Sequence, residues 1–304
     1  MTHTQPATLD SIADDSGVFA IVAMDQRNTL RRMFDAVGRT ASDADLRAAK
    51  VDVARALTPI ASGILLDPTV GVPAVTEAGA LAGTCGLLVA AEPEHRNSYE
   101  GEPHAHRLPE QDAVWVQNMG GHAVKFLVQL RPGRPHPAGT PDLVDDLLTV
   151  VREVVADCRA AGIPSVIENL IYSLPGEEPL TPAQREDLIV ESARLLTETG
   201  ADLLKLEYPG SAKGCRRIAE TVRGPWAVLS AGVPFAEFQE VIRVACDEGG
   251  VSGFIAGRSI WKEAVGLEGP ARTEFLDTVA KPRLAELVAA VNGRARPWTE
   301  AVGA

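Results

Sequence analysis

Positive charge is the scarcest commodity in this chain: 29 lysines and arginines stand against 41 aspartates and glutamates, leaving a formal net charge of −12. A nucleic-acid surface needs a concentrated basic face to neutralise phosphates, so that class of function is not expected. Any anionic ligand has to be held by a few focused cations. Cysteine is also sparse. Cys85, Cys158, Cys215 and Cys246 lie far apart with no CxxC spacing, which suggests neither a zinc site nor a disulfide framework, and reduced thiols in a cytosol are expected. No stretch approaches the ~20 uncharged apolar residues of a membrane span. Met1 to Asp10 is polar and lacks the basic start and apolar core of a signal peptide, so a cytoplasmic protein is expected. Internal repeats, low-complexity tracts and linkers are missing too, which makes residues 1–304 one expected domain with no membrane or nucleic-acid partner.

What is present suits an enzyme of ordinary size. With 45% hydrophobic and 23% charged residues, the 304 residues can bury a full core. Short runs rich in Val, Ile, Leu and Phe recur, each followed by a turn and then a segment with helical spacing. Eight can be counted: Phe19 to Met24, Gly63 to Leu66, Gly86 to Ala91, Ala123 to Leu130, Ser165 to Glu168, Asp202 to Glu207, Ala227 to Ser230 and Gly253 to Ala256. Eight alternating strand and helix units predict an α/β fold closed as a (β/α)8 TIM barrel. Helices are expected over Asp43 to Thr58, over Pro141 to Ala161 before Gly162, and over Pro182 to Thr199 before Gly200. Two Pro- and Gly-rich stretches, Glu92 to Pro109 and Arg131 to Thr140, read as loops over the barrel mouth.

Barrel chemistry sits at the C-terminal ends of the strands. The polar residues there are Asp25, Asp67, Lys125, Glu168, Lys205, Glu207, Ser230 and Arg258. Strand alternation puts Leu203, Lys205 and Glu207 on one face and Leu204 and Leu206 on the other, so Lys205 points into the barrel if the latter two meet the helices. The same alternation turns Lys125, Leu127 and Gln129 inward and Val124, Phe126 and Val128 outward. A buried lysine with a second positive charge nearby favours the free amine, the form that attacks a carbonyl; Lys125 could supply that like charge. Glu168, between the two lysines in strand order, is the candidate acid/base. A purely structural ion-pair network of Lys125, Glu168 and Lys205 is the competing reading. Ser230-Ala231-Gly232 and Gly257-Arg258-Ser259 look like a phosphate cradle at the last two strand ends, with Arg258 adding charge, although each glycine alone would be explained by turn chemistry. A metal-dependent enzyme using His95, His104, His106 and His122 is a weaker alternative, because three of the four fall in a loop-like stretch. Trp115, Trp226 and Trp261 read as packing residues.

These motifs resemble the class I aldolases that include tagatose-1,6-bisphosphate aldolase and sulfofructosephosphate aldolase, over almost the whole chain. The resemblance is carried by Ala23-Met24-Asp25-Gln26-Arg27, Leu66-Asp67-Pro68, Val124-Lys125-Phe126-Leu127, Ile167-Glu168, Ala201 to Glu207, Leu229 to Val233 and Gly253 to Arg258. It implies that Lys205 is the Schiff-base lysine, Glu168 the proton-transfer residue and Lys125 its electrostatic partner. It further implies that Ser230, Gly232, Gly257 and Arg258 hold a C1 phosphate, with Gln26 and Arg27 near the far end of the substrate; Asp25 and Asp67 join the expected substrate contacts. No cofactor or metal is expected, and a homo-oligomer is. Ser16 to Gly38, Val251 to Trp261 and the short spacing from Lys205 to Ser230 look like the sulfofructosephosphate branch, whereas Leu65 to Pro68, Gly71 to Ala74, Ala123 to Leu127 and Ser230 to Gly232 look like the tagatose branch. Overall the resemblance is closer to the former. It implies cleavage of 6-deoxy-6-sulfofructose 1-phosphate to dihydroxyacetone phosphate and 3-sulfolactaldehyde, with tagatose 1,6-bisphosphate as the alternative substrate and a non-catalytic sugar-phosphate-binding regulator as the alternative class.

Overall fold

A computed structural model describes residues 8–302 of the chain. The N-terminal reading of residues 1–7 therefore lies outside the described residues. Eight parallel strands close into a barrel: β1 (Phe19–Met24), β2 (Gly63–Leu66), β3 (Gly86–Ala90), β6 (Ala123–Val128), β7 (Ser165–Asn169), β8 (Leu203–Leu206), β9 (Trp226–Leu229) and β10 (Gly253–Ala256). The ring runs β1-β10-β9-β8-β7-β6-β3-β2. Outer helices include α1 (Asn28–Ala36), α2 (Asp43–Leu57), α3 (Gly71–Glu77), α4 (Ala113–Asn118), α5 (Leu143–Ala161), α6 (Pro182–Thr197), α7 (Ala212–Thr221) and α8 (Phe235–Gly249). Four C-terminal helices, α9 (Arg258–Trp261), α10 (Gly269–Phe275), α11 (Lys281–Val291) and α12 (Trp298–Ala301), complete the layer.

The barrel follows from two-residue alternation. Phe19, Ile21, Ala23, Leu65, Leu88, Ala90, Ala123, Val166, Leu203, Ala227 and Ile255 form the inner core, and their sequence neighbours Val22, Ile64, Val89, Val124, Ile167, Leu204 and Val228 pack against the helices. The N-terminal end is plugged by a short 3-10 helix, Leu9–Ile12, whose Leu9 and Ile12 belong to that inner core. Ser62 Oγ fastens the plug by donating to Ile12 O at 2.8 Å. The plugged end leaves the opposite mouth for chemistry.

Helix boundaries are set by caps. Ser42 with Asp45 and Thr181 with Gln184 form capping boxes at the starts of α2 and α6. The expected helix from Pro141 begins at Leu143, because the Asp142 side chain accepts from Val144 N and Asp145 N. It ends at Gly162, whose φ of 72° is the left-handed value that glycine adopts without strain. Trp226 and Trp261 are buried, donating their indole N–H to Gly249 O and Ala23 O at 2.9 and 3.1 Å. Trp115 packs against the outer core.

One expected loop contains structure. Between Glu92 and Pro109, β4 (Asn97–Tyr99) and β5 (Glu102–His104) pair as an antiparallel hairpin. Its two turn residues, Glu100 and Gly101, have φ of 50° and 85°, the arrangement that matches the twist of a two-residue hairpin. Glu102 accepts from Arg134 Nε and Nη2 at 2.9 and 2.7 Å and from the Tyr172 hydroxyl at 2.9 Å. The segments that follow β3, β6 and β7 are thereby tied together on the mouth side of the barrel.

Candidate active site

At the C-terminal ends of the strands a cleft of about 620 Å³ opens onto Lys125, Glu168 and Lys205. All three side chains are inward, as alternation predicts, and nearly inaccessible to solvent. Register explains their proximity: Glu168 stands directly beside Lys205 across β7 and β8, while Lys125 stands beside Val166, one inward position deeper on β6. One carboxylate oxygen, Glu168 Oε2, lies 3.0 Å from Lys125 Nζ and 2.9 Å from Lys205 Nζ.

Lys125 is surrounded by acids. Its Nζ also lies 2.9 Å from Asp25 Oδ2 and 2.7 Å from Glu92 Oε1. Burial disfavours this ammonium, but Asp25, Glu168 and Glu92 outweigh burial and hold its pKa well above the ordinary lysine value. Burial likewise works against the Glu168 carboxylate, yet Lys125 and Lys205 bring it below the usual range. Asp25 is lowered more strongly, against burial, by Lys125, Lys205 and the more distant Lys50. The site at rest therefore holds fixed charges of both signs, and Lys125 is far from a bare like charge beside Lys205. Glu168 stands between them.

Glu92 was not singled out by the sequence reading, which ended the third apolar run at Ala91. Leu88, Ala90 and Glu92 share one face by period two, so the signal was there. Glu92 Oε2 also accepts from Leu127 N at 3.2 Å, which fixes the carboxylate over β6.

The remaining expected site residues divide. Gln26, Arg27 and Arg258 line the cleft with Asp25 and His95, and Arg32 and Arg96 add positive charge to its rim. Asp67 does not line it. Its carboxylate is fully buried, paired with Lys50 at 2.6 Å and accepting from Val70 N and Gly71 N, so a direct substrate contact is corrected to a position behind the site. Ser230 sits beside the cleft, lining a neighbouring cavity with Glu207 and Arg185, and Glu207 is held by Arg185 and by Ile171 N at 2.7 Å. Gly232 abuts the Arg258 guanidinium, which donates to Ala231 O at 3.2 Å, so the two proposed cradle loops do meet. Ala231 and Gly232 both have positive φ, 49° and 83°, and among the described residues neither amide is engaged in a hydrogen bond.

Gly257 has a packing reason of its own. A Cβ there would stand 2.2 Å from Ala23 O, so β10 can approach β1 only with glycine at this position. Gly257→Ala is expected to lower stability by about 1–3 kcal/mol through overpacking, read as a fall in Tm on thermal unfolding. An unchanged Tm would mean the two strands can part at no cost.

The four histidines weighed as metal ligands are dispersed. His95 lines the cleft, His104 Nε2 lies 3.0 Å from Asp146 Oδ2, His106 lines a separate cavity with Asn97 and Pro103 of the hairpin, and His122 Nδ1 accepts from Leu87 N at 2.9 Å. Among the described residues no group of three or more His, Cys, Asp or Glu side chains is arranged to hold a metal ion, and no helix is long and apolar enough to cross a membrane.

The tagatose 1,6-diphosphate aldolase of Listeria monocytogenes is 28% identical over 95% of this chain and 92% of that protein. The tagatose 1,6-diphosphate aldolase of Lactococcus lactis is 28% identical over 99% of both. Among solved structures, the fructose-bisphosphate aldolase of Plasmodium falciparum superposes with a TM-score of 0.69 at 12% identity, over 97% of this chain and 99% of that one, a likeness of fold alone. Residues 19–263 match the family model described as DeoC/LacD family aldolase, a span that contains the whole barrel and every residue of the cleft. The chain is an aldolase of the DeoC/LacD family.

Proposed function

We propose that this aldolase works through a Schiff base on Lys205 and cleaves a ketohexose that carries phosphate at C1 and a second anion at C6. The observation that carries the reading is the shared oxygen, Glu168 Oε2, held between Lys125 Nζ and Lys205 Nζ at the floor of a cation-rimmed cleft.

The free amine of Lys205 adds to the C2 ketone, and loss of water from the carbinolamine gives the iminium. The iminium withdraws electrons as the C3–C4 bond breaks, while Glu168 takes the C4 hydroxyl proton and the aldehyde leaves. Protonation of the enamine at C3 and hydrolysis of the regenerated iminium release dihydroxyacetone phosphate and restore Lys205. Lys125, kept cationic by Asp25, Glu92 and Glu168, stabilises the charge that develops on the C4 oxygen. Arg258 with the Ala231 and Gly232 amides supports the C1 phosphate, and Arg27 with Gln26 faces the far end.

Two substrates fit this description. The segments around Val251 to Trp261 favour 6-deoxy-6-sulfofructose 1-phosphate, and the relatives named as tagatose aldolases favour tagatose 1,6-bisphosphate. Sulfonate and phosphate differ in charge and in oxygens able to accept, so kcat/KM for the two, measured through dihydroxyacetone phosphate release, is expected to differ by about tenfold or more, the effect of 1.4 kcal/mol at C6. A higher value for the sulfonate assigns the enzyme to sulfosugar cleavage; a higher value for the bisphosphate assigns it to hexose bisphosphates. Failure to cleave either sinks the proposed substrate class.

A further inference from the structure

Behind the cleft, a lysine that takes no part in the proposed chemistry is buried completely. Lys50 projects from α2, and its side chain and that of its partner Asp67 are both 0% exposed. Its Nζ donates to Met24 O at 2.6 Å and to Gln26 O at 2.9 Å, and lies 2.6 Å from Asp67 Oδ1. An ammonium has three N–H bonds; each has one partner here. The two carbonyls belong to the residues immediately before and after Asp25.

Asp67 is just as firmly held. Its Oδ2 accepts from Val70 N at 2.7 Å and from Thr69 Oγ1 at 3.0 Å, and its Oδ1 accepts from Gly71 N at 3.1 Å. A buried ion pair is an expensive way to fasten a helix to a barrel, since two well-packed apolar side chains do so without the desolvation penalty. What apolar side chains cannot do is grip two particular carbonyls. Those carbonyls fix the stretch of backbone from which Asp25 reaches Lys125 Nζ at 2.9 Å.

We propose that Lys50, locked in place by Asp67, is a positioning residue for catalysis: it clamps the backbone on both sides of Asp25 and so sets the Asp25–Lys125–Glu168 chain against Lys205. The inference rests on the catalytic assignment of Lys205 and Glu168 made above. Charge acts with geometry, because Asp25 faces positive groups on three elements, Lys125 on β6, Lys205 on β8 and Lys50 on α2, and shares Lys125 with Glu168 and Glu92. Removing Lys50 takes away one of the three cations and frees the backbone.

The test is Lys50→Met in the full chain, assayed on the better of the two ketose phosphates. Misplacement of the Asp25 backbone is expected to lower kcat about 10- to 100-fold, with KM little changed and borohydride capture of dihydroxyacetone phosphate on Lys205 retained. A folded Lys50→Met protein with wild-type kcat would overturn the proposal and leave the pair a structural fastening. Gly71→Ala gives an independent probe if the first variant does not fold. A Cβ at Gly71 would stand 2.8 Å from Asp67 Oδ1, which loads the clamp from α3 without touching the cleft. A smaller fall in kcat, with KM again little changed, is expected from Gly71→Ala, and wild-type values there also overturn the proposal. Absence of borohydride capture in the wild-type enzyme is a different result, which would refute the Schiff-base reading itself.

Discussion

Replacing Lys205 by alanine is expected to abolish borohydride trapping with dihydroxyacetone phosphate and to reduce kcat by roughly 10⁴-fold or more, the scale on which loss of a nucleophile leaves only binding and background catalysis. Reduction of an imine turns it into a stable secondary amine, so the wild-type chain gains an irreversible mass that intact-protein mass spectrometry reads directly. The fold should survive. Removing one member of a buried ion pair is costly when it orphans the other, but here Glu168 Oε2 keeps Lys125 at 3.0 Å, and Lys125 keeps Asp25 and Glu92. The truncated side chain faces the cleft, where water can enter. A loss of activity with an unchanged circular dichroism spectrum and Tm is therefore expected. Retention of covalent trapping in Lys205→Ala would move the Schiff base to another amine, and the buried Lys125 would be the next to replace. A wild-type chain that binds the ketose phosphate without ever being trapped would be a binding protein on an aldolase scaffold.

The strands were readable because barrel burial imposes a period of two on one side and continuous apolarity on the other. β1, β2 and β10 begin and end where the apolar runs do, and the inward placement of Lys125 and Lys205 follows from the outward leucines and valines around them. Contacts between distant segments were not readable. Nothing at Asp67 announces that its partner is Lys50 on a helix preceding its own strand, so from sequence alone a carboxylate at a strand end reads as a ligand contact. Asp25 stands at the mouth, but its attachment to Lys125, 100 residues away, needs the curvature of the barrel, which brings the ends of β1 and β6 within reach although β2 and β3 lie between them. The β4–β5 hairpin escaped because three-residue strands carry too few positions to establish alternation, and Pro103 interrupts one of them. Glu92 escaped for a narrower reason: period two was followed only as far as the apolar letters continued. At such a strand end the alternation outlasts the hydrophobicity, because that is where the inner face changes from core to site.

Replacing Glu168 by glutamine separates bond formation from bond cleavage. The amide keeps the size of the side chain and can still accept from one lysine, but it cannot take the C4 hydroxyl proton. Loss of a positioned base typically costs about 10²- to 10⁴-fold, and kcat of Glu168→Gln is expected to fall by that amount while borohydride still captures dihydroxyacetone phosphate on Lys205. The pH dependence has a definite sign. Lys125 and Lys205 hold the Glu168 carboxyl below its ordinary 4.5 despite burial, so the wild-type base remains ionised, and the acid limb assigned to it should lie below pH 4.5. The same depression makes the native state more stable above the unfolded pKa and removes that contribution as pH falls through the folded value, so acid should unfold the wild type and slow it over overlapping ranges. Glu168→Gln carries no such titration at this position. Its residual activity should lose the Glu168 limb, while Asp25 and Glu92 continue to hold Lys125 charged. Wild-type turnover in Glu168→Gln would remove this residue from proton transfer and leave Glu92 as the carboxylate to test. Loss of trapping along with turnover would place Glu168 earlier, in relieving Lys205 of its proton before attack, a role that the 2.9 Å contact between them also permits.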